Sequence, residues 1–401
     1  MRIARLAAIA AALTVATAAQ AQITQDTVKI GVLADMSSLY ADLGGSGSVE
    51  AAKMAVADFG GTVGGKKIEI VSADHQNKPD TGAAIARQWF DQDGVDMITD
   101  LTTSSVALAV QEVARAKNKV ILVSGAASSD LTGKACAPTS VHWTYDTVAL
   151  ANGTGAAVVK AGGDSWFFIT ADYAFGHALE RDTSAVVKAN GGKVLGDVKV
   201  PLNTADFSSY LLQAQASKAK IVGLANAGGD TINSIKQAAE FGIVAGGQKL
   251  AGLLVFLSDI HSLGLQTAQG LQLTESFYWD MNDETRAWSK RFFEKTKREP
   301  TMNQAGVYGA VTAYLNAVKA VNSVDGPTVM KKMKATPIND FMTKNGHIRE
   351  DGTLVRDMYL FEVKKPSESK GPWDYYKLIA TIPGEEAYKR PNGNECPLVK
   401  G

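Results

Sequence analysis

The chain has little cysteine, little histidine and no net charge. Two cysteines and five histidines stand among 401 residues, and 41 basic residues balance 41 acidic ones. That balance excludes the electrostatic footprint of a nucleic-acid binder and of a polybasic membrane patch. The histidines have no partners at metal-ligand spacing: Asp74-His75 and His142 stand alone, Asp259-x-His261 lacks a third ligand, and HEXXH is absent. No G-x-S-x-G elbow marks an activated serine. Two glycine-rich stretches also fail as nucleotide loops. Around Gly44–Gly47 the third glycine of a G-x-G-x-x-G frame is Glu50, and Gly60–Lys67 leaves a helix for a strand, the reverse of a P-loop. Neither an enzyme nor a cofactor is predicted.

Long apolar runs are lacking as well, apart from one. MRIARLAAIAAALTVATAAQAQ carries Arg2 and Arg5, an apolar stretch from Leu6 to Ala19, and Ala19-Gln20-Ala21. The stretch is shorter than the ~20 residues that span a bilayer. Residues 1–21 therefore read as a cleaved secretory signal, with residues 22–401 exported to the periplasm. No lipobox cysteine follows, so the mature protein is expected to be free. Cys136 and Cys396 both fall in the exported part, where a disulfide is the expected fate of a pair and two separate thiols the alternative. Such a bond would contribute at most about 5 kcal/mol by chain entropy.

From Val28 onward, short Val/Ile-rich runs alternate with helical patterns: VKIGVLAD, KKIEIVSAD, VDMITDL and KVILVSGA as strands, with helices between. After DLTGKACAPTSVHWTYD the alternation resumes with SWFFITAD, KVLGDVKV, AKIVGLANA and KLAGLLVF. Two βα series predict an α/β protein of two similar doubly wound parallel-sheet lobes. Helices are expected over about Asp283–Lys297 and Asn303–Val321. GHIREDGTLVRDMYLFEVKK reads as a hairpin turning at Asp351-Gly352.

One stretch exceeds structural need. Thr102, Thr103, Ser104 and Ser105 follow the strand VDMIT, where one hydroxyl suffices to cap a helix. Ligands of open α/β sheets bind at carboxyl ends of strands, and a helix N-terminus there favours an anion. The next strand also ends in small and hydroxylic residues: Ser124, Gly125, Ala126, Ala127 and Ser128. Together they predict a pocket for a carboxylate.

These stretches, with VKIGVLADMSSLYADLGGSGSVEAAKMAV, ADHQNKPDTGAAIARQ, ITADYAFG and VYGAVTAYLNAV, resemble the type I periplasmic substrate-binding proteins of ABC importers, specifically the branched-chain amino acid (leucine/isoleucine/valine) group. The resemblance covers essentially the whole mature sequence. It implies two lobes joined by a three-strand hinge, the first of about residues 27–145 and 280–340, the second of 146–279 and 341–385, with a tail at 386–401. It implies a monomer that hands its ligand to membrane permease subunits. By position, Thr102, Thr103 and Ser104 would hold the carboxylate, with Ala126, Ala127 and Ser128 beside them. Tyr173 or Phe175 would close from the second lobe, and Tyr40 is a further candidate. One departure matters: where the amino-acid binders place a carboxylate for the ligand's ammonium, this chain has Leu253 and Leu254. Either Asp259 or Asp230 swings into that role, or the ligand lacks an amino group. An exported enzyme on the same fold and a sensor component are the competing functions.

Overall fold

The computed structural model describes residues 23, 25–391 and 393–399, so the expected signal segment lies outside the described residues. The first lobe is built on a six-stranded sheet. Its strands are β1 (Thr27–Ala34), β2 (Thr62–Val63), β3 (Lys66–Asp74), β4 (Val95–Asp100), β5 (Val120–Val123) and β6 (Ser140–His142), ordered β2-β3-β1-β4-β5-β6. All its pairings are parallel except that of β2 with β3. β4 and β5 are buried throughout; β5 accordingly reads as an unbroken apolar run, while β4 buries Asp96, Thr99 and Asp100 as well. Helices Gly45–Phe59, Pro79–Asp91 and Ser104–Ala116 cover the sheet. The second of these starts with proline in its first turn, where a missing N–H costs nothing. It lies close on β1: a Cβ at Gly31 would stand 2.4 Å from the Trp89 ring.

The second lobe repeats the scheme. Strands β7 (Ser165–Ala171), β8 (Lys193–Val200), β9 (Ile221–Ala225) and β10 (Lys249–Gly252) form a parallel sheet ordered β10-β9-β7-β8. Beside it lies a three-stranded antiparallel sheet of β11 (Gln272–Glu275), β14 (Met358–Val363) and β15 (Tyr376–Ile382), ordered β11-β14-β15. The expected hairpin is shared out. β12 (His347–Ile348) and β13 (Leu354–Val355) pair across the turn at Asp351-Gly352, where Gly352 takes φ 88°, while β14 leaves for the antiparallel sheet. The turn is tied to β6 of the first lobe by the Thr353–His142 bridge. Helices Asp283–Thr296 and Met302–Val321 return to pack on helix Gly45–Phe59. The chain thus passes between the lobes after β6, after β11 and between β13 and β14.

Cys136 and Cys396 are bonded, with Cα atoms 5.6 Å apart and a sequence separation of 260. The bond ties the C-terminal segment to the first lobe. Arg390 Nη2, donating to Thr132 Oγ1 at 2.6 Å, and Asn394, donating to Asp351 at 2.7 Å, hold the same segment.

Candidate ligand-binding cleft

The loops at the carboxyl ends of β1, β4 and β5 face those of β7, β9 and β10 across the gap between lobes. The β1 loop is organised by Asp35. Its buried carboxylate accepts hydrogen bonds from the amides of Ser37, Ser38 and Tyr40 and from the Asn77 side chain. Burial works to raise the acid, but these bonds outweigh it and hold it below its ordinary value. The loop so fixed carries Tyr40 and Leu43 to the gap.

At the end of β4 the chain turns through two successive left-handed residues, Asp100 (φ 77°) and Leu101 (φ 59°). Non-glycine residues pay for that conformation, and surrounding bonds must hold it. Here Leu101 N donates to Leu33 O, and Ser124 N and Gly125 N both donate to Asp100 O. The turn delivers Thr102 and Ser104 to the cleft with their lone pairs engaged. Thr102 Oγ1 accepts from Asp35 N at 3.1 Å and meets His75 Nε2 at 3.2 Å. Because His75 Nδ1 accepts from Asn77 N, the ring proton sits on Nε2 and is donated to Thr102. Ser104 Oγ accepts from Ala127 N at 3.3 Å and Ser128 N at 3.1 Å. A hydroxyl has two acceptor positions and one hydrogen. Both are therefore left with a hydrogen to give, which suits an anion. The amino end of helix Ser104–Ala116 adjoins them and receives no side-chain cap.

The second lobe presents Tyr173, Phe175, Ala227, Leu254 and Phe256. The turn carrying Tyr173 is tight: a Cβ at Gly176 would lie 2.0 Å from Ala171 O, so the motif glycine is a steric necessity. Tyr40 and Tyr173 join hydroxyls at 2.6 Å across the gap. A Cβ at Gly228 would stand 2.7 Å from Leu39 O, so glycine allows the lobes to meet there too. Nearer the hinge, Ser129 Oγ and Thr147 Oγ1 each donate to Asp182 Oδ2 at 2.6 Å. Tyr145, on the first crossing, donates to Gly125 O at 2.5 Å and meets Phe256 edge-on. The space left between the lobes is small: only about 10 Å³ is open to the centres of water-sized spheres. That is the room of about one water, so the lobes must part to admit a ligand.

No charged side chain lines this space among the described residues. Asp259 is the clearest departure from expectation. It lies in the first turn of helix Leu257–Leu263 and accepts from Phe256 N at 2.9 Å, and burial pushes its carboxyl up to about 7. Asp230 accepts from Asn203 N and Thr204 N, each at 3.0 Å, and burial pushes it up to about 6. Asp100 lies beneath the floor with Asn303 donating to it at 3.1 Å, and burial pushes it up to about 6.

Of the residues singled out in the sequence, Tyr40, Thr102, Ser104, Ala127, Tyr173 and Phe175 are brought together around the cavity. Thr103, Ala126, Ser128 and Asp259 are not. Thr103 is the N-cap position and turns its hydroxyl sideways to Asn77 Oδ1. Ala126 gives its carbonyl to His142 Nε2 at 2.7 Å, and Ser128 caps the short turn Ser129–Leu131. Leu43, Tyr145 and Ala227 carried no signal of their own. Tyr145 sits in DLTGKACAPTSVHWTYD, which reads as a linker between the two βα series.

Two parallel-sheet lobes closing small, hydroxyl-lined loops over one cavity define a binding protein. The chain belongs to the periplasmic binding protein family, whose model matches residues 27–371. It is similar to a periplasmic binding protein from Burkholderia mallei, at 57% identity over 94% of this chain and 100% of that one, with a TM-score of 0.92. A branched-chain amino acid ABC transporter periplasmic ligand-binding protein from Burkholderia xenovorans LB400 is 41% identical over 92% of this chain and 99% of that one, with a TM-score of 0.83. A solute-binding protein of an ABC transporter from Rhodopseudomonas palustris BisB5, in complex with 3,4-dihydroxybenzoic acid, shares the fold at 23% identity and a TM-score of 0.82, covering 92% of this chain and 99% of that one.

Proposed function

We propose that this protein captures a small carboxylic acid lacking an amino group in the periplasm, closes its lobes over it, and delivers it to the permease of an ABC importer. The observation that carries the reading is the pair of hydroxyls at Thr102 and Ser104, whose lone pairs are engaged by neighbours. Each offers its hydrogen to a carboxylate beside an uncapped helix N-terminus. The rest of the wall is apolar or phenolic, so an ammonium there would lose several kcal/mol of hydration without a partner. Closure would follow from a higher affinity of the closed state, with no covalent step. Monomers suit this mechanism.

A second reading, a branched-chain amino acid as ligand, is favoured by the name of the 41%-identical relative. A thermal-shift screen of unfolded, stripped and refolded mature protein separates the two. Leucine, isoleucine and valine, their 2-oxo counterparts, and benzoate-type acids form the panel. Ligand at ~100 Kd adds about 2.7 kcal/mol of stability. Shifts confined to the acids without an amino group support the reading; shifts confined to the amino acids overturn it.

A further inference from the structure

A second hollow opens between the lobes on the far side of the loop that carries Tyr40. Asp42 faces this groove while its neighbour Leu43 faces the ligand cavity, and Ser258 faces it while Phe256 faces the cavity. The groove holds about 1090 Å³ and is open to solvent. We propose that it is a second ligand site, shared by the two lobes, for a small organic monocation of the alkylammonium class.

Charge bookkeeping within the groove leaves one acid over. Arg298 pairs with Asp42 at 2.5 Å and Lys295 with Glu50 at 3.2 Å, which neutralises two acids with two bases. Glu299 also lines the groove, and its Oε2 is buried with no hydrogen-bond partner among the described residues. A half-buried carboxylate in that state is a cost that a bound cation would offset. Burial and the nearby Asp280 push the Glu299 acid up to about 7, as expected of a carboxylate with no countercharge.

The second lobe supplies two further groups. Ser258 is only 8% exposed, and its buried Oγ has no partner among the described residues although the residue lines the groove. An ammonium hydrogen would satisfy it once the side chain turns toward the groove. Trp373 lines the same groove and is held in a left-handed conformation, φ 69°. Tyr278 and Trp279 both donate to its carbonyl, and its ring stacks on His261 with centroids 3.8 Å apart. An indole held firmly in the same groove as an unpaired carboxylate supplies the two elements that recognise organic cations. Since Glu299 and the Ser258–Trp373 wall belong to different lobes, a cation there would hold the lobes together and raise affinity in the main cavity.

The test is a titration of the mature protein with n-butylammonium chloride and with tetramethylammonium chloride, against matched sodium chloride, read by calorimetry and tryptophan fluorescence. The expected result is saturable binding of one cation at concentrations up to about 10 mM, the range of a ~1 mM site. Glu299→Gln should weaken both cations at least tenfold. Ser258→Ala should weaken only butylammonium, because tetramethylammonium has no N–H to give it. Melting curves of each variant report folding, and the Ser258→Ala comparison decides the matter if Glu299→Gln does not fold. No saturable signal beyond the sodium control, or Glu299→Gln binding as tightly as the parent, overturns the proposal. A carboxylate titration of the same samples reports the main cavity separately, so failure of one site is not mistaken for failure of the other.

Discussion

The hydroxyls of Tyr40 and Tyr173 meet at 2.6 Å, one reaching from the loop after β1 and the other from the loop after β7. Among the described residues it is the one hydrogen bond between two side chains of the cavity wall that spans both lobes, and it exists only while the lobes are together. A neutral hydrogen bond contributes about 0.5–1.5 kcal/mol net. Tyr40→Phe and Tyr173→Phe are each expected to weaken ligand about two- to tenfold. The double variant should be scarcely weaker than either single one, because the second change removes a bond already lost. Calorimetric Kd values for the four proteins check this; effects that simply add would show that the contact does not serve closure.

Loss of the Thr102 or the Ser104 hydroxyl should cost both affinity and stability. Hydrogen bonds to a charged group are worth about 1.5–3 kcal/mol, so Thr102→Val and Ser104→Ala are each expected to weaken a carboxylate ligand by roughly 10- to 100-fold. Ser104→Ala also strips the partner from Ala127 N and Ser128 N, and Thr102→Val strips it from Asp35 N and His75 Nε2, all buried. Both should melt lower even without ligand, whereas Thr102→Ser, which keeps the hydroxyl, should bind close to normally. Affinity unchanged in Thr102→Val would remove that hydroxyl from the site.

Leu254 stands where amino-acid binders of this group are expected to carry their acid, and it lines the cavity. Leu254→Glu should weaken acids without an amino group by like-charge repulsion and give leucine or valine a partner for its ammonium. The shift in preference, measured as the ratio of the two Kd values, is expected to exceed tenfold. Leu254 is 3% exposed, so the apo variant should melt lower by the cost of a buried carboxyl. A variant that folds and still prefers the acids would show that the wall does not set selectivity.

The Cys136–Cys396 bond closes a 260-residue span and fixes the segment bearing Arg390 and Asn394 against the first lobe. Cys136→Ser with Cys396→Ser is expected to lower stability by up to about 5 kcal/mol. Ligand affinity should change little, since neither cysteine lines the cavity. Denaturant melts with and without reductant, alongside a ligand titration, separate the two effects.

Most of the fold was legible because a buried parallel strand advertises itself as an apolar run and a following helix by its spacing. The strands β1, β4, β5, β7 and β9 fall where Val/Ile-rich runs stand, and helices Asp283–Thr296 and Met302–Val321 where their patterns predict. The antiparallel sheet was not legible. β11 is four residues with polar ends, and β15 is exposed over most of its length, so neither shows an alternating core face. In the cleft, the row of hydroxyls announced an excess over capping, but not which would face inward. That choice is made by the left-handed pair Asp100–Leu101, where no glycine flags a turn. It sends Thr102 and Ser104 to the cavity and Thr103 to Asn77. Asp259 stayed open between ligand acid and helix cap, because an acid near an expected ligand and an acid at its own helix terminus look the same in sequence; here it accepts from Phe256 N at the start of its own helix.

His75 offers a pH test of the hydroxyl geometry. Its ring is buried between Asn77 N, which donates to Nδ1, and Thr102 Oγ1, which faces Nε2. Burial pushes the imidazole down from 6.5 to about 4, although Asp35 and Asp74 pull the other way. A histidine depressed on folding binds its proton more readily in the unfolded chain. Its contribution to stability is therefore fully present above pH 6.5 and lost as pH falls through about 4. At ~1.36 kcal/mol per pKa unit the amount is about 3 kcal/mol. Protonation of Nδ1 would set two donors facing each other at Asn77, loosening the loop that also anchors Tyr40. Nitrogen-15 spectra of the ring are expected to show the Nε2–H tautomer from pH 8 down to about 5 and protonation only near pH 4. A His75 carrying its proton on Nδ1 would mean that Thr102 keeps an acceptor position free, and its hydroxyl would no longer be committed to donating to the ligand; one titrating at its ordinary 6.5 would mean that the ring is not buried in solution.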